Sequence, residues 1–380
     1  MHSSVTALFE THFDRAPRHT VQAPGRLELL GNHTDYNEGL VMALAVDRHI
    51  FIAASPRNDH KVRLVASSFV EPEEFVVTRP EKNPNAPWAD YVKGVLDQLQ
   101  RRGVRMGGFD AAIEGTIPMG AGMSSSAALE VATALIVRQL YPYQLAPDGN
   151  EKLELAKLCQ AAENEFVGVK CGLLDQMSSL FGKADHAIEI DFQSLAVDYA
   201  PTASDIAIVV CNSGVKHQLI GGEYNELRAM CESAAKKLGA KSLRAITETD
   251  LRASRDRLTE REYQCAHHII GEIARVAEGV KALRAGEFEQ FGQYMFQSHA
   301  SSRDDFKNST RELDLLVEIA GEQHGCLGAR LTGGGFGGAT INLVERAVVD
   351  EFCRFMSAQY RERTGIEMTP LVCRSADGAD

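Results

Sequence analysis

Residues Pro118–Ala132 read PMGAGMSSSAALEVA: glycines, three consecutive hydroxyls, then a run of helix formers. Gly120 and Gly122 permit positive φ and close approach of a ligand to the backbone. The first turn of a helix beginning near Ser124 offers unpaired N–H groups and the positive end of its dipole. Ala127, Ala128, Leu129, Val131, Leu135 and Val137 supply helix propensity and an apolar stripe. One hydroxyl suffices to cap a helix, so Ser124, Ser125 and Ser126 together point to phosphate oxygens or a divalent cation. No Gly-Lys-Ser/Thr follows, which argues against a Walker loop, and Ser125 stands where a dinucleotide fingerprint needs glycine.

Outward from this bend, strands and helices alternate irregularly, without an internal repeat, which predicts an α+β organisation. Strands are expected at Leu40–Ala54, Lys61–Val65 and Phe109–Glu114. Helices are expected at Trp88–Arg101, Leu153–Phe166, Tyr224–Leu238, Glu262–Arg284 and Glu312–Glu322. A turn-rich stretch, Asp198–Asp205 with Pro201, precedes a strong strand at Ile206–Cys211. It suggests two domains, 1–200 and 201–380.

Three further stretches carry chemistry. ARLTGGGFGG, Ala329–Gly338, is either a bulged hairpin turn or a second close approach to a ligand. APGRLELLGNHTDYNEG, Ala23–Gly39, packs Arg26, Glu28, Asn32, His33, Asp35 and Tyr36 into a short loop-like span. Such a density of acceptors and donors suits a sugar, and a fixed cation at Arg26 suits phosphoryl transfer. In KCGLLDQMSSLFG, Lys170–Gly182, Asp175 interrupts an apolar run. It either caps a helix starting at Gln176 or deprotonates an attacking hydroxyl.

The whole-chain numbers fit an enzyme with proper cores: 380 residues, 44% hydrophobic and 24% charged. A formal charge of −12 argues against nucleic-acid or anionic-membrane partners. The opening residues carry acids and no apolar core, and no run of eighteen apolar residues occurs, so a cytoplasmic location is expected. The eight cysteines are scattered without C-x-x-C pairs and are expected to be free thiols. His267 and His268 would point about 100° apart on a helix, which favours packing over a shared metal.

Taken together, the segments resemble the galactokinase branch of the GHMP small-molecule kinases over nearly the whole chain. The resemblance rests on Gly25–Gly39, on GAGMSSSAALEVA at Gly120–Ala132 and on GARLTGGGFGG at Gly328–Gly338. It is supported by AENEFVGVKCGLLDQ and NSGVKHQLIGGEYNELR between them. It implies an N-terminal domain of the ribosomal S5 domain 2-like type, a ferredoxin-like C-terminal domain and a site in the cleft between them. It implies ATP-dependent phosphorylation of a sugar C1 hydroxyl with Mg²⁺, by a monomer or weak homo-oligomer. It casts Asp175 as base and Arg26 as charge stabiliser, with Asn32, His33, Thr34, Asp35 and Tyr224 on sugar positions. The ATP phosphates fall to Gly120, Ala121, Gly122, Met123, Ser124, Ser125 and Ser126. The metal falls to Ser126 and Glu163, with Ser125 as a substitute for the serine.

The chain departs from the family pattern at informative places. Where the family usually reads Gly-Glu-His-Thr-Asp, residues 31–35 read Gly-Asn-His-Thr-Asp, so Asn32 replaces a glutamate that contacts the sugar's C6 hydroxyl. Glu28 stands where asparagine is usual, and Ala43 and Lys170 replace common prolines. Loss of that charge, with Lys170 adding a positive one, leads to the expectation that a hexuronic acid is tolerated. The readings are therefore galactose 1-phosphorylation; the same chemistry on galacturonate, N-acetylgalactosamine or arabinose; and a sugar and ATP sensor without turnover. A nicotinamide-dependent dehydrogenase is the remote alternative.

Overall fold

The computed structural model describes residues 2–118, 120–147, 149–216 and 220–380. Met119 of the phosphate bend and residues 217–219 of the NSGVKHQLIGGEYNELR stretch lie outside them.

Seven strands build the first sheet: β1 (His19–Leu30), β2 (Leu40–Pro56), β3 (Lys61–Ala66), β4 (Phe69–Val76), β5 (Phe109–Gly115), β6 (His186–Asp191) and β7 (Ala196–Pro201). Their order is β4-β3-β5-β2-β6-β7, with β1 paired to β2. Only β3 and β5 run parallel. β2 is long and, apart from a polar middle at Asp47–His49, mostly apolar because both of its faces are covered. Ile50, Ile52 and Ala54 point to the main core, while Phe51 and Ala53 meet Val5 and Phe9 of the helix His2–Phe13. The helices Ala89–Arg101, Ser125–Leu140, Glu151–Ala161 and Leu174–Phe181 contribute their apolar faces to the main core.

The second sheet has β8 (Ile206–Lys216), β9 (Cys326–Thr332), β10 (Gly337–Glu345) and β11 (Leu371–Cys373), antiparallel throughout, in the order β11-β8-β10-β9. Helices separate β8 from β9, and the helix Val349–Thr364 separates β10 from β11. This is the β-α-β-β-α-β ferredoxin-like arrangement that the resemblance implied. The long first crossover includes the helix Glu260–Ala285, started by a reciprocal Thr259–Glu262 capping box. Its Val276, Val280 and Leu283 join the core of the first sheet, so the two sheets share packing.

Three sequence expectations need correction. The span Ala23–Gly39 is not loop-like throughout: β1 runs to Leu30, and only then comes a turn with a 3₁₀ segment at Asp35–Asn37. The turn-rich stretch begins later than Asp198, because β7 continues to Pro201. The helix expected to reach Phe166 ends at Ala161 and passes into a π turn, Ala162–Val167. Among the described residues, no helix is long and apolar enough to cross a membrane. All eight cysteines are free.

Candidate active site

The site begins where β1 crosses the glycine-serine bend. Gly25 leaves no room for a side chain, since a Cβ there would lie 2.7 Å from the Met123 carbonyl oxygen. The next residue, Arg26, donates its backbone N–H to that carbonyl. Its buried guanidinium reaches Asp175 Oδ1 through Nε at 2.7 Å and Nη2 at 2.6 Å, and the Gly122 carbonyl through Nη1 at 2.5 Å. Asp175 sits in the first turn of the helix Leu174–Phe181, which Leu173 precedes, so the helix-cap alternative is not realised. Its other oxygen accepts the Ser124 hydroxyl.

Ser124 holds a left-handed backbone conformation, φ +52°, unusual for a residue with a side chain. It caps the helix Ser125–Leu140 by position only, because its hydroxyl goes to Asp175 instead of an N–H of the first turn. Gly120 and Gly122 also have positive φ, 72° and 65°. Ala121 and Met123 bury their side chains in the core, leaving only their backbone to face a ligand. Ser125 and Ser126 are half-buried in the first helical turn.

A cavity of about 330 Å³ opens beside the Arg26–Asp175 pair, lined also by Glu28, Asn32, His33, Asp35, Gly172 and Tyr224, with Gly333 and Gly334 from the β9–β10 turn. That turn closes the β9–β10 hairpin and sets Gly333 and Gly334 against the cavity, while the pairing of β10 with β8 is irregular at Gly337–Ala339, so both readings of ARLTGGGFGG hold in part. Asn32 is buried and donates to Glu28 Oε1 at 3.0 Å and the Gly333 carbonyl at 2.8 Å, while accepting from Asn308 at 2.8 Å. Glu28 is also paired with the buried Arg330. Beneath the turn lies Glu272, which accepts the backbone N–H groups of Gly31 and Asn32 at 3.0 and 2.9 Å and the Ser298 hydroxyl. Burial works against its charge, but Arg275, His268 and Arg330 hold its carboxyl well below the usual range.

His33 is fixed between the Tyr36 hydroxyl at 2.8 Å and the Gly334 carbonyl at 3.0 Å, and packs on the Tyr224 ring with centroids 4.8 Å apart. Burial lowers its pKa to about 4, so it is neutral at pH 7. Burial raises Asp35 to about 7, helped by the charges of Asp175 and Glu28, against the Tyr36 N–H that it accepts. Gly172 is where it is because a Cβ there would fall 1.6 Å from Asp35 Oδ2. Thr34 departs from its expected sugar position: its hydroxyl donates to the Gly31 and Leu40 carbonyls, closing the turn, and it does not line the cavity. Lys170 is exposed at the cavity mouth.

Behind Asp175, the π turn brings Glu163 inward. Gln176 donates to both Glu163 Oε2 and Glu130 Oε2 at 3.0 Å, and the other oxygen of Glu130 is buried without a partner. Burial, then the charge of Asp175, raises Glu163 to about 7. Ser126 lies one helical turn before Glu130, on the same face. Among the described residues, no cluster of three or more His, Cys, Asp or Glu side chains is arranged to hold a metal by itself. The crowded, partly unsatisfied acids nevertheless suit a divalent cation that phosphate oxygens also ligate.

Residues 7–56 match the galactokinase galactose-binding signature, residues 90–183 the N-terminal domain of GHMP kinases and residues 280–362 their C-terminal domain. A galactokinase from Chloroflexus aggregans is 41% identical over 99% of this chain and 96% of its own length. One from Roseiflexus is 40% identical over 97% and 94%. This chain belongs to the galactokinases of the GHMP kinase family. It has a close structural counterpart in the Lactococcus lactis galactokinase complexed with galactose, at a TM-score of 0.93 and 33% identity, covering 100% of this chain and 99% of that one. The fold is shared more widely: a mevalonate kinase, 19% identical, superposes with a TM-score of 0.63 over 94% of this chain.

In this galactokinase the structure brings Arg26, Asp175, Ser124, Asn32, His33, Asp35 and Tyr224 to one cavity and its rim. Sequence reasoning missed Glu272, Asn308, Arg330 and Glu130. The signal for the first was present as His268, Glu272 and Arg275 at helical spacing, three charged or polar residues on one side of an otherwise amphipathic helix.

Proposed function

We propose that this galactokinase-family protein transfers the γ-phosphoryl group of ATP to the C1 hydroxyl of galactose. The observation that carries the reading is the convergence of Arg26, Asp175 and the Ser124 bend at one end of a sugar-sized cavity. The loose transition state of phosphoryl transfer asks for positioning and charge compensation more than covalent chemistry. Asp175 takes the proton of the C1 hydroxyl as the new P–O bond forms. Arg26 aligns that carboxylate and offsets charge on the phosphoryl group in flight. The N–H groups of the bend and of the first turn at Ser125 and Ser126 cradle the phosphates. Asp35, His33, Asn32 and Tyr224 form the sugar wall, and Thr34 shapes the turn that carries them.

Ser126 and Glu163, beside Glu130, would hold Mg²⁺, which when bound neutralises charge on the β- and γ-phosphates. The buried unpaired oxygen of Glu130 and the raised pKa of Glu163, about 7, support this assignment. We also propose a division at 200/201, one residue short of the end of β7 at Pro201 and ahead of the second sheet, which starts at Ile206. A cytoplasmic monomer or weak homo-oligomer completes the reading, the location being supported by eight free thiols. Measurement of ADP release against a panel of sugars, with the product identified as a 1-phosphate, tests the function. Release with no sugar of the panel would overturn it.

A further inference from the structure

The far wall of the cavity carries a carboxylate where the family pattern has an amide. Arg26 and Glu28 are two residues apart on β1, so their side chains leave the same face of the strand, separated along it by about 6.6 Å. The register shifts of β1 fall on either side of this pair and not within it. A separation of that size is comparable with the span of a pyranose from its anomeric oxygen to its hydroxymethyl group. If Arg26 marks the reacting end, Glu28 stands at the C6 end.

Asn32 has nothing left to offer a sugar C6 hydroxyl through its amide hydrogens. Both are spent, on Glu28 Oε1 and on the Gly333 carbonyl. Those partners also fix its orientation, because a flipped amide would set its oxygen against a carboxylate and a carbonyl. On Glu28, Oε1 accepts from Asn32 and from Arg330, each at 3.0 Å. Oε2 has no hydrogen-bond partner among the described residues, although the side chain is only 4% exposed and lines the cavity. Oε2 is thus the oxygen of Glu28 left open to the cavity, an acceptor free for a donor that a ligand brings.

We propose that Glu28 Oε2 accepts the C6 hydroxyl of the sugar, so that acid and amide have exchanged places between positions 28 and 32. The negative charge of the subsite is kept. This rests on the galactose 1-kinase reading above, and it reverses the expectation of a hexuronic acid substrate, whose C6 carboxylate would face that of Glu28.

The test compares galactose, 6-deoxygalactose and galacturonate with the full chain, ATP and Mg²⁺. In the wild type, kcat/KM for 6-deoxygalactose should fall at least about 100-fold below galactose, because an acceptor built for a hydroxyl is left unpaired, and galacturonate should not turn over. In Glu28→Gln and Glu28→Asn the 6-deoxy penalty should shrink below about tenfold, since a weaker neutral acceptor, or none, remains. Asn32→Glu should lose galactose turnover by setting two carboxylates together, and the double exchange E28N/N32E should regain the discrimination. Should Glu28→Asn fail to fold around the unpaired Arg330, the isosteric Glu28→Gln and the double exchange carry the test. Wild-type turnover of galacturonate, or an undiminished 6-deoxy penalty in Glu28→Gln, overturns the assignment alone. A wild type inert towards galactose overturns it together with the functional reading.

Discussion

Ser124 and Asp175, 51 positions apart in the chain, share a hydrogen bond that fastens the phosphate bend to the carboxylate beside Arg26. The hydroxyl expected to serve a phosphate is thus engaged with the base, and the bend's strained residue is held by the group it helps to orient. Nucleotide site and reacting carboxylate are therefore built as one unit.

Asp175→Asn keeps the volume and the contact with Ser124 but removes the proton acceptor. It should lower kcat by about 10²- to 10⁴-fold with the melting temperature little changed. Arg26→Ala should cost about 10³- to 10⁵-fold, by analogy with arginines in other phosphoryl-transfer sites. Coupled ADP-release assays on the purified variants, alongside thermal melts, check both; near wild-type turnover would remove the residue from its role.

Asp35 gives the sugar site a pH response near neutrality. With its pKa at about 7, the ionised fraction rises about tenfold between pH 6 and pH 8, so KM for galactose should fall by roughly that factor. The profile should flatten in Asp35→Asn. The stability sign is opposite: the folded carboxyl keeps its proton up to about pH 7 while the unfolded one releases it near 3.8. The folded state therefore loses stability as pH rises through that window, a loss that Asp35→Asn removes. Melting temperatures of both proteins from pH 4 to 8 give the second half of the comparison.

Gly172→Ala should separate function from folding. The added Cβ would meet the tip of the Asp35 side chain, not backbone, so the carboxylate swings away while the fold accommodates the methyl group. KM for the sugar should rise about tenfold or more with a nearly unchanged unfolding midpoint. Wild-type KM would show that Asp35 tolerates the displacement.

Removal of Glu272 should act on both. In Glu272→Ala the N–H groups of Gly31 and Asn32 lose a buried acceptor and Arg275 its partner, at a cost of about 3 to 5 kcal/mol in denaturant unfolding. Since the folded carboxyl titrates well below the usual 4.5, its contribution is present above that value and fades as pH falls through it, so mutant and wild type should converge in acid.

The glycine bend, the helix after it and the catalytic aspartate were legible because their chemistry is local: backbone freedom, hydroxyls and one acid in an apolar run. β1 was not, because Pro24-Gly25 reads as a turn inside it, and the buried polar residues Arg26 and Glu28 that follow imitate a loop. Glu163 was identified, but not the π turn that turns it inward, since a π turn leaves no period of its own in six residues. Asn32 read as a lost sugar contact because its pairing with Glu28, at 3.0 Å, exists only in the folded chain; that pairing underlies the proposal that the acid has moved to position 28. Asn308 and Arg330 lie far along the chain, and only packing of the two sheets brings them to Asn32 and Glu28.

The carbonyls of Gly333 and Gly334, at the tip of the last hairpin, hold Asn32 and His33, which follow the first strand of the other sheet. Early and late ends of the polypeptide thus meet in a single receptor, and neither is competent without its distant counterpart. A carbohydrate filling it behaves as a rivet: occupancy should be felt as resistance to melting by the entire molecule, in proportion to the logarithm of ligand concentration.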